Sequence, residues 1–217
     1  MKLLIVSATE PEIKPLLVHL GITGGMKSYN YKGHQLEILI TGVGMTATAY
    51  HLGRVLTQEW DFALNLGLAG TFNDNLEPGT VVNIVQDHFA ELGAEDGDMF
   101  IPISKMNLET DSEVFNESVV PGEVLGYIPR VCGITVNTVH GNEASIDKVF
   151  KLYHPNTESM EGAAFLLACK LAAVPCAQIR AISNKVEKRN RDAWNIPLAV
   201  KNLNEKAIEI IEEVVRI

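Results

Sequence analysis

Short runs that are mainly apolar on both faces alternate along this chain with segments of helical periodicity. Residues 3–8, 62–66 and 176–183 are such runs, each followed by polar or glycine-rich residues. A strand that is apolar on both faces needs a cover on both faces, as in a central sheet with helices on either side. The pattern therefore predicts an α/β fold, a three-layer αβα sandwich, and no repeat or linker divides the chain into parts.

The remaining elements follow from the same criteria. Further strands are predicted at residues 28–31, 35–41, 81–85 and 132–136, the first two paired through a turn at Lys32-Gly33. One helix is predicted to begin at the N-cap Thr9, and others are predicted at residues 45–57, 143–152, 160–173 and 196–215. Residues 87–130 carry acids, prolines and few periodic stretches, so we interpret them as a long excursion over one end of the sheet.

Charge and length limit the classes of function. The 217 residues fit a single domain, residues 1–217, and 27 acidic against 18 basic residues give a net charge of −9. Since no Lys/Arg-rich run occurs, neither nucleic acid nor membrane is expected as a partner. The first apolar run is too short for a signal peptide and is followed at once by acids, so we expect a cytoplasmic protein.

Cysteine spacing gives no sign of a metal or a disulfide. Cys132, Cys169 and Cys176 lie among apolar residues without CxxC or histidine spacing. Such cysteines are typical of buried, reduced thiols. We therefore expect no metal and no cofactor.

Two charged residues near predicted strand ends stand out. Glu12 lies three residues after Thr9 and fits a capping box, although a capped carboxylate that also faces a cleft could serve as a general base. Arg180 lies inside an otherwise apolar strand, where a guanidinium needs a partner, either for structure or at a site. In α/β folds, ligands bind beyond the carboxyl ends of strands, which is where Glu12 is predicted to lie.

Three further segments have two interpretations each. Gly42-Val43-Gly44 fits a dinucleotide-binding pattern, but the next strand ends without the acid that binds ribose, which favours a tight turn. The small residues at 67–70 allow close approach of either a ligand or another backbone. Glu161 opens the most apolar helix, where an acid is favoured by the helix dipole, and where sugar hydroxyls would also be suitable partners.

Taken together and in this order, these segments resemble the nucleoside phosphorylase/nucleosidase superfamily over nearly the whole chain. Within it they resemble the futalosine hydrolase branch, a relative of methylthioadenosine/adenosylhomocysteine nucleosidase. The segments that carry the superfamily resemblance are Glu12 with the opening strand, residues 42–44, 65–70, 159–161 and 180–184. Those that look like futalosine hydrolase in particular are residues 89–98, 135–141 and 191–194.

The resemblance implies roles for individual residues. Glu12 would activate the attacking water and Arg180 would help to hold it. Glu161 would bind the ribose hydroxyls, with Met160 on the sugar face. Ala69 and Gly70 would line the pocket, and Thr138 and Val139 occupy the positions for base stacking and backbone contact. Asn184 would be a catalytic residue at the base. The fold it implies has a central mixed sheet, and its members form homodimers or larger assemblies.

Two departures from the adenine-specific enzymes bear on the substrate. This chain has Leu68 where those enzymes have a serine, and Asn184 where they have an aspartate. The resemblance therefore implies hydrolysis of futalosine to dehypoxanthine futalosine and hypoxanthine, on the route to menaquinone. Methylthioadenosine/adenosylhomocysteine nucleosidase and a non-catalytic nucleotide-binding sensor are the alternatives.

The first loop distinguishes hydrolysis from phosphorolysis. Residues 9–12 contain two glutamates and no cation, so they would repel phosphate, while a carboxylate suits activation of water. Futalosine also carries a carboxylate beyond its ribose. The candidates for binding that carboxylate are His140, Lys188, Arg189 and Arg191.

Overall fold

The computed structural model describes residues 1–22, 28–108, 111–116, 118 and 122–216. The strands are β1 (Lys2–Ser7), β2 (Ser28–Tyr31), β3 (His34–Ile40), β4 (Phe62–Thr71), β5 (Val81–Phe89), β6 (Gly93–Asp96), β7 (Met99–Pro102), β8 (Glu113–Phe115), β9 (Arg130–Thr135), β10 (Thr157–Ser159) and β11 (Cys176–Lys185). The helices are α1 (Glu10–His19), α2 (Met45–Val55), α3 (Val124–Tyr127), α4 (Glu143–Tyr153), α5 (Gly162–Ala172) and α6 (Ile196–Val214).

A mixed sheet of nine strands forms the centre of the molecule. Its order is β10-β9-β5-β11-β4-β1-β3-β2, with β8 paired to β5. The β3-β1-β4-β11 portion is parallel, and β5 joins β11 antiparallel. Because β10 pairs with both β9 and the end of β4, five strands close on themselves at one side. This closure brings the ends of β4, β10 and β11 together.

Helices cover both faces of the sheet, as the apolar strand runs predicted. On β1, Leu3 and Ile5 belong to the core shared with α1 and α6. Leu4 and Val6 belong to the core shared with α2 and α5, so successive side chains alternate between the two layers. The αβα sandwich is confirmed. No helix in the described ranges has both the length and the apolar character that crossing a membrane requires.

The strand β4 is longer than the sequence suggested. Residues 67–70, predicted as a loop after a strand, belong to β4, which continues to Thr71. The reason is pairing, since β11 runs alongside β4 to Lys185 and β10 joins its end. The strand β10 itself was not predicted; it takes up the residues just before α5, which begins at Gly162 rather than at 160.

The predicted excursion at residues 87–130 was partly wrong. It contains the hairpin β6–β7, the strand β8 and the short helix α3. Its first residues are not outside the sheet, because β5 continues to Phe89 through pairing with β8 and β9. Asp87 is consequently in the core, with 1% of its surface exposed.

Candidate active site

Glu12 lies in the first turn of α1, beyond the carboxyl end of β1. Its Oε2 accepts hydrogen bonds from the Thr9 backbone N–H at 2.9 Å and the Thr9 hydroxyl at 2.7 Å. Its Oε1 accepts from the backbone N–H of Leu68 on β4 at 3.3 Å. The predicted reach of Glu12 back to the cap is therefore confirmed, and the same carboxylate also faces the middle of the sheet.

Arg180 on β11 is the largest fully buried side chain among the described residues, with 1% of its surface exposed. Its Nη1 donates to the carbonyl oxygen of Ile179 at 3.2 Å, and its Nε has no hydrogen-bond partner among the described atoms. Burial lowers the pKa of the guanidinium, while the carboxylates of Glu161, Asp87 and Glu12 act in the opposite direction.

Gly67 permits the approach of Arg180 to Glu12. A Cβ at this position would lie 3.3 Å from Nη1 of Arg180 and 3.5 Å from Oε1 of Glu12. A larger residue on this stretch of β4 would press on both charged groups. The close-approach interpretation of the small residues fits this position.

Glu161 is the residue just before α5, and its Oε1 accepts a hydrogen bond from the backbone N–H of Gly44 at 2.9 Å. Gly44 has φ +99°, a conformation that favours glycine. Burial raises the pKa of Glu161, while Arg180 and this hydrogen bond lower it. The Gly42-Val43-Gly44 turn thus supplies a donor to Glu161, in accordance with its interpretation as a tight turn.

Asp87 is a partner of Arg180 that the sequence analysis missed. Its Oδ1 accepts from the Thr135 hydroxyl at 2.9 Å, and its Oδ2 from Nε2 of Gln178 at 3.1 Å. Burial raises its pKa from 3.8 to about 6, against the effect of these hydrogen bonds and of Arg180. The buried arginine signalled that a counter-ion exists, but the sequence does not say which of 27 acids supplies it. We call Glu12, Asp87, Glu161 and Arg180 the arginine cluster.

A second polar group lies at the ends of β4, β10 and β11. A cavity of about 90 Å³ is lined there by residues that include Gly70, Val139, His140, Glu158, Asn184 and Trp194. We call it the His140 cavity. In the sheet, Gly70 is paired with Asn184 on one side and with Glu158 on the other. Gly70, Asn184 and Glu158 therefore lie side by side on three neighbouring strands.

Asn184 follows an irregularity in β11, where the register with β4 shifts between Ile182 and Asn184. Its Oδ1 accepts from the Ser183 hydroxyl at 2.7 Å, and its Nδ2 donates to the carbonyl oxygen of Lys185 at 2.8 Å. One N–H of the amide is left over from these bonds. The bulge turns a residue that would otherwise follow the strand pleat toward the cavity wall.

His140 and Glu158 form a pair that the sequence analysis did not recognise. Nδ1 of His140 contacts Oε2 of Glu158 at hydrogen-bond distance, and the backbone N–H of His140 donates to Oε1 at 3.0 Å. The Glu158 side chain is 3% exposed and the His140 side chain 14%. Little in the sequence indicates this pair, because the two residues lie eighteen positions apart, on either side of α4.

The other predicted residues lie around these two groups. Ala69 is buried in β4, and Met160 is half-buried between β10 and α5. Thr138 and Val139 are exposed in the segment after β9, and Val139 also lines the His140 cavity.

The candidates for the distal carboxylate do not form one group. His140 and Arg189 line the cavity beside Asn184. The guanidinium of Arg191 lies over the Trp194 ring, and Lys188 is exposed. Nothing in this arrangement selects one of them for the far end of a substrate. In the described part of the chain, no three His, Cys, Asp or Glu residues are grouped so as to hold a metal ion.

Comparisons with known proteins identify relatives of this chain. The model of the phosphorylase superfamily matches residues 2–216. A futalosine hydrolase of Acidothermus cellulolyticus is 33% identical over 175 residues, which cover 77% of this chain and 71% of that protein. An aminodeoxyfutalosine nucleosidase of Campylobacter jejuni is 26% identical, covering 87% and 88% of the two chains. The structure of a futalosine hydrolase from Helicobacter pylori superposes with a TM-score of 0.80 at 15% identity, over 98% of each chain.

Proposed function

The chain belongs to the phosphorylase superfamily, and we propose that it is a nucleosidase whose substrate is futalosine. The reaction is hydrolysis of the N-glycosidic bond, with release of hypoxanthine and dehypoxanthine futalosine. The similarity to curated futalosine hydrolases supports this substrate. The observation that carries the proposal is that the buried Arg180 and the Glu12 carboxylate approach the same glycine of β4, Gly67, with Glu161 acting on the arginine electrostatically.

The arginine cluster suits the sugar. Cleavage of the bond to the base develops positive charge on the ribose, which nearby carboxylates stabilise. We assign Glu12 to activation of the attacking water and Glu161 to the ribose hydroxyls, with Met160 on the sugar face. Arg180 is too buried for a role limited to contact with water, and its positive charge lies within electrostatic reach of the carboxylates of Glu161, Asp87 and Glu12.

The same groups favour water over phosphate as the nucleophile. Both oxygens of Glu12 accept hydrogen bonds in the loop where a phosphorylase would need cations. The side chains of this loop provide no positive charge, since residues 9–12 are Thr, Glu, Pro and Glu. An incoming phosphate dianion would meet two carboxylates there.

The His140 cavity suits the base. Asn184 offers an N–H and an oxygen, which match the O6 and N7 acceptors of hypoxanthine and its neighbouring donor. Gly70 and Ala69 form the floor and Val139 and Thr138 the rim in this assignment. The relative that acts on aminodeoxyfutalosine shows that a related nucleosidase takes a different futalosine-type substrate. Aminodeoxyfutalosine is therefore the second candidate.

The proposal extends to assembly and location. We propose a cytoplasmic homo-oligomer in the route to menaquinone, on the basis of the resemblance. A groove between α2 and α5 supports self-association, because it is lined by apolar side chains such as Leu52, Leu56 and Leu167, and Leu171 on its rim is 73% exposed. The three cysteines are free thiols, as a reducing compartment would keep them. Light scattering measures the number of copies.

One set of incubations tests the activity. The purified protein is given futalosine, aminodeoxyfutalosine, inosine or methylthioadenosine, each with and without phosphate and a chelator, and free base is measured. We expect hypoxanthine from futalosine at the highest kcat/KM, unaffected by phosphate or chelator. Ribose-1-phosphate-type products that form only with phosphate would contradict hydrolysis, and a preference for methylthioadenosine would contradict the substrate.

A further inference from the structure

We propose that His140, oriented by Glu158, donates the proton that the purine needs as it leaves. This inference rests on the proposed function and adds a catalytic residue to it. When the N-glycosidic bond breaks, both bonding electrons go to the base, which becomes an anion unless it is protonated. Asn184, the cavity residue placed to contact the base, is a carboxamide and has no proton to transfer.

Among the charged groups that face the His140 cavity, His140 is the one suited to proton donation. Arg189 is a guanidinium and does not deprotonate in proteins. Nζ of Lys185 donates to Oδ1 of Asp74 at 2.6 Å, and this partner raises the lysine pKa. Glu187 is an exposed carboxylate on the outer side, and both oxygens of Glu158 are bonded to His140.

The contact with Glu158 fixes how the imidazole is presented. Because Nδ1 is bonded to the carboxylate, Nε2 is the ring nitrogen left for a ligand. The backbone N–H of His140 donates to Oε1 of Glu158, so both the backbone and the side chain of His140 are hydrogen-bonded to a residue of β10. The nearly buried Glu158 side chain thus holds the imidazole with Nε2 directed away from the carboxylate.

The sheet places this donor next to the base. Gly70 on β4 is paired with Glu158 on β10 and with Asn184 on β11. Glu158 and Asn184 therefore lie opposite the same residue of β4, on the two strands that flank it. Neighbouring strands lie about 4.8 Å apart, which separates β10 from β11 by about 10 Å across β4. In the proposed arrangement the base lies in the cavity that both residues line, with Asn184 at one edge and His140 at the other.

The step balances without a further reactant. Water attacks C1′ and gives a proton to Glu12, the C1′–N9 bond breaks, and Nε2–H of His140 protonates the departing base at a ring nitrogen. The products are the neutral base and the hydroxylated sugar. Glu12 then releases its proton to solvent and His140 takes one up, which restores both groups.

The test compares two leaving groups in one set of proteins. Futalosine has a base that needs protonation, whereas 4-nitrophenyl ribofuranoside has a leaving group that departs as a stable anion. We expect His140→Ala to lower kcat on futalosine by roughly 10²–10⁴-fold, the usual value of general acid catalysis, and to leave kcat on the nitrophenyl riboside within a few-fold. Added imidazole should restore part of the futalosine activity, and Glu158→Gln should give a smaller loss in the same direction.

Control variants separate this role from a structural one. His51→Ala removes a half-buried histidine of α2 whose ring meets the Tyr50 ring edge to face. This variant should leave kcat unchanged on both substrates. The proposal would be overturned if His140→Ala lost kcat equally on both substrates, or if it kept full activity on futalosine. A wild type that cleaves the nitrophenyl riboside but no purine nucleoside would instead refute the proposed function.

Discussion

The arginine cluster and the His140 cavity hold their polar groups in different ways. The cluster is built on the strands β5 and β11 and on the starts of α1 and α5, and Arg180 and Asp87 are each 1% exposed. The cavity is built on a bulge and on segments that follow β9 and β11, and Asn184 at its edge is only half-buried. A charge without water depends on its few protein partners, whereas a partly hydrated amide has alternatives.

This difference has a functional meaning under the proposed nucleosidase activity. Changes in the arginine cluster should affect the chemical step and stability together, since each charge there compensates another. Changes at the edge of the His140 cavity should affect the choice of base and leave the fold intact. Glu158 is the exception within the cavity, because it is nearly as buried as Asp87 and Arg180. The four predictions below test this contrast.

The largest effect is expected for Glu12→Gln. Glutamine keeps an oxygen that can accept from the Thr9 N–H but cannot take a proton from water, so kcat should fall by about 10²–10⁴-fold. The free energy of unfolding should fall by no more than about 1 kcal/mol, because the cap is largely kept. Steady-state kinetics and urea unfolding measure the two quantities.

The matched control for Glu12 is Glu10→Gln, which removes an exposed acid from the same turn. It should leave kcat and stability unchanged. If Glu12→Gln remained active and only lost stability, Glu12 would be a cap and not a base.

Asp87→Asn tests the buried charge through the pH dependence of stability. A pKa raised from 3.8 to about 6 means that the native state binds more protons than the unfolded state between these values. Through this group, the free energy of unfolding of the wild type should therefore fall by about 3 kcal/mol as pH rises from 3 to 7. In Asp87→Asn this decrease should be absent.

Urea unfolding at several pH values between 3 and 8 checks this expectation. Asp147→Asn, at an exposed position on α4, is the control and should retain the wild-type dependence. Identical curves for Asp87→Asn and the wild type would mean that Asp87 does not titrate in this interval.

Asn184→Asp tests whether Asn184 selects the purine base in the His140 cavity. An ionised aspartate would set acceptors against the O6 and N7 acceptors of hypoxanthine, and each mismatch costs about 1–3 kcal/mol. We expect kcat/KM for futalosine to fall roughly tenfold to hundredfold, with a smaller loss, or a gain, for aminodeoxyfutalosine. The melting temperature should be little changed, in contrast to Asp87→Asn.

The control here is Asn190→Asp, an exposed residue of the following loop, which introduces the same charge away from the cavity wall. Equal losses on the two substrates would indicate that Asn184 acts on the structure of the bulge instead of on the base.

The smallest effects are expected for a pair of alanines on β4. A Cβ at Gly67 would lie 3.3 Å from Nη1 of Arg180, so Gly67→Ala should shift charged groups by tenths of an ångström and lower kcat roughly tenfold. A Cβ at Gly70 would lie 2.9 Å from Cγ2 of Val186 and 3.3 Å from Nδ2 of Asn184. Since those side chains can move, Gly70→Ala should chiefly raise KM, about threefold. A larger loss of kcat for Gly70→Ala than for Gly67→Ala would contradict the contrast between the arginine cluster and the His140 cavity.

Local patterns were sufficient for much of the fold. The hairpin of β2 and β3, the start of α1 at Thr9 and the two helical layers all follow from periodicity and capping, which act over a few residues. Strand ends were less predictable. The glycines of β4 suggested a loop, and the strand continues because β10 and β11 pair with it, a long-range effect that composition does not record.

The sequence by itself determined that a strand with a buried arginine needs a partner for that charge and that Glu12 caps the helix that follows the first strand. Both conclusions rest on costs that any fold must meet: an unpaired buried charge and an unsatisfied helix start. Only the tertiary structure decided that the further partner is Asp87 and that His140 is joined to Glu158. Those pairings depend on which strands lie side by side, and strand order is set by the packing of the whole sheet, not by the residues of any one segment.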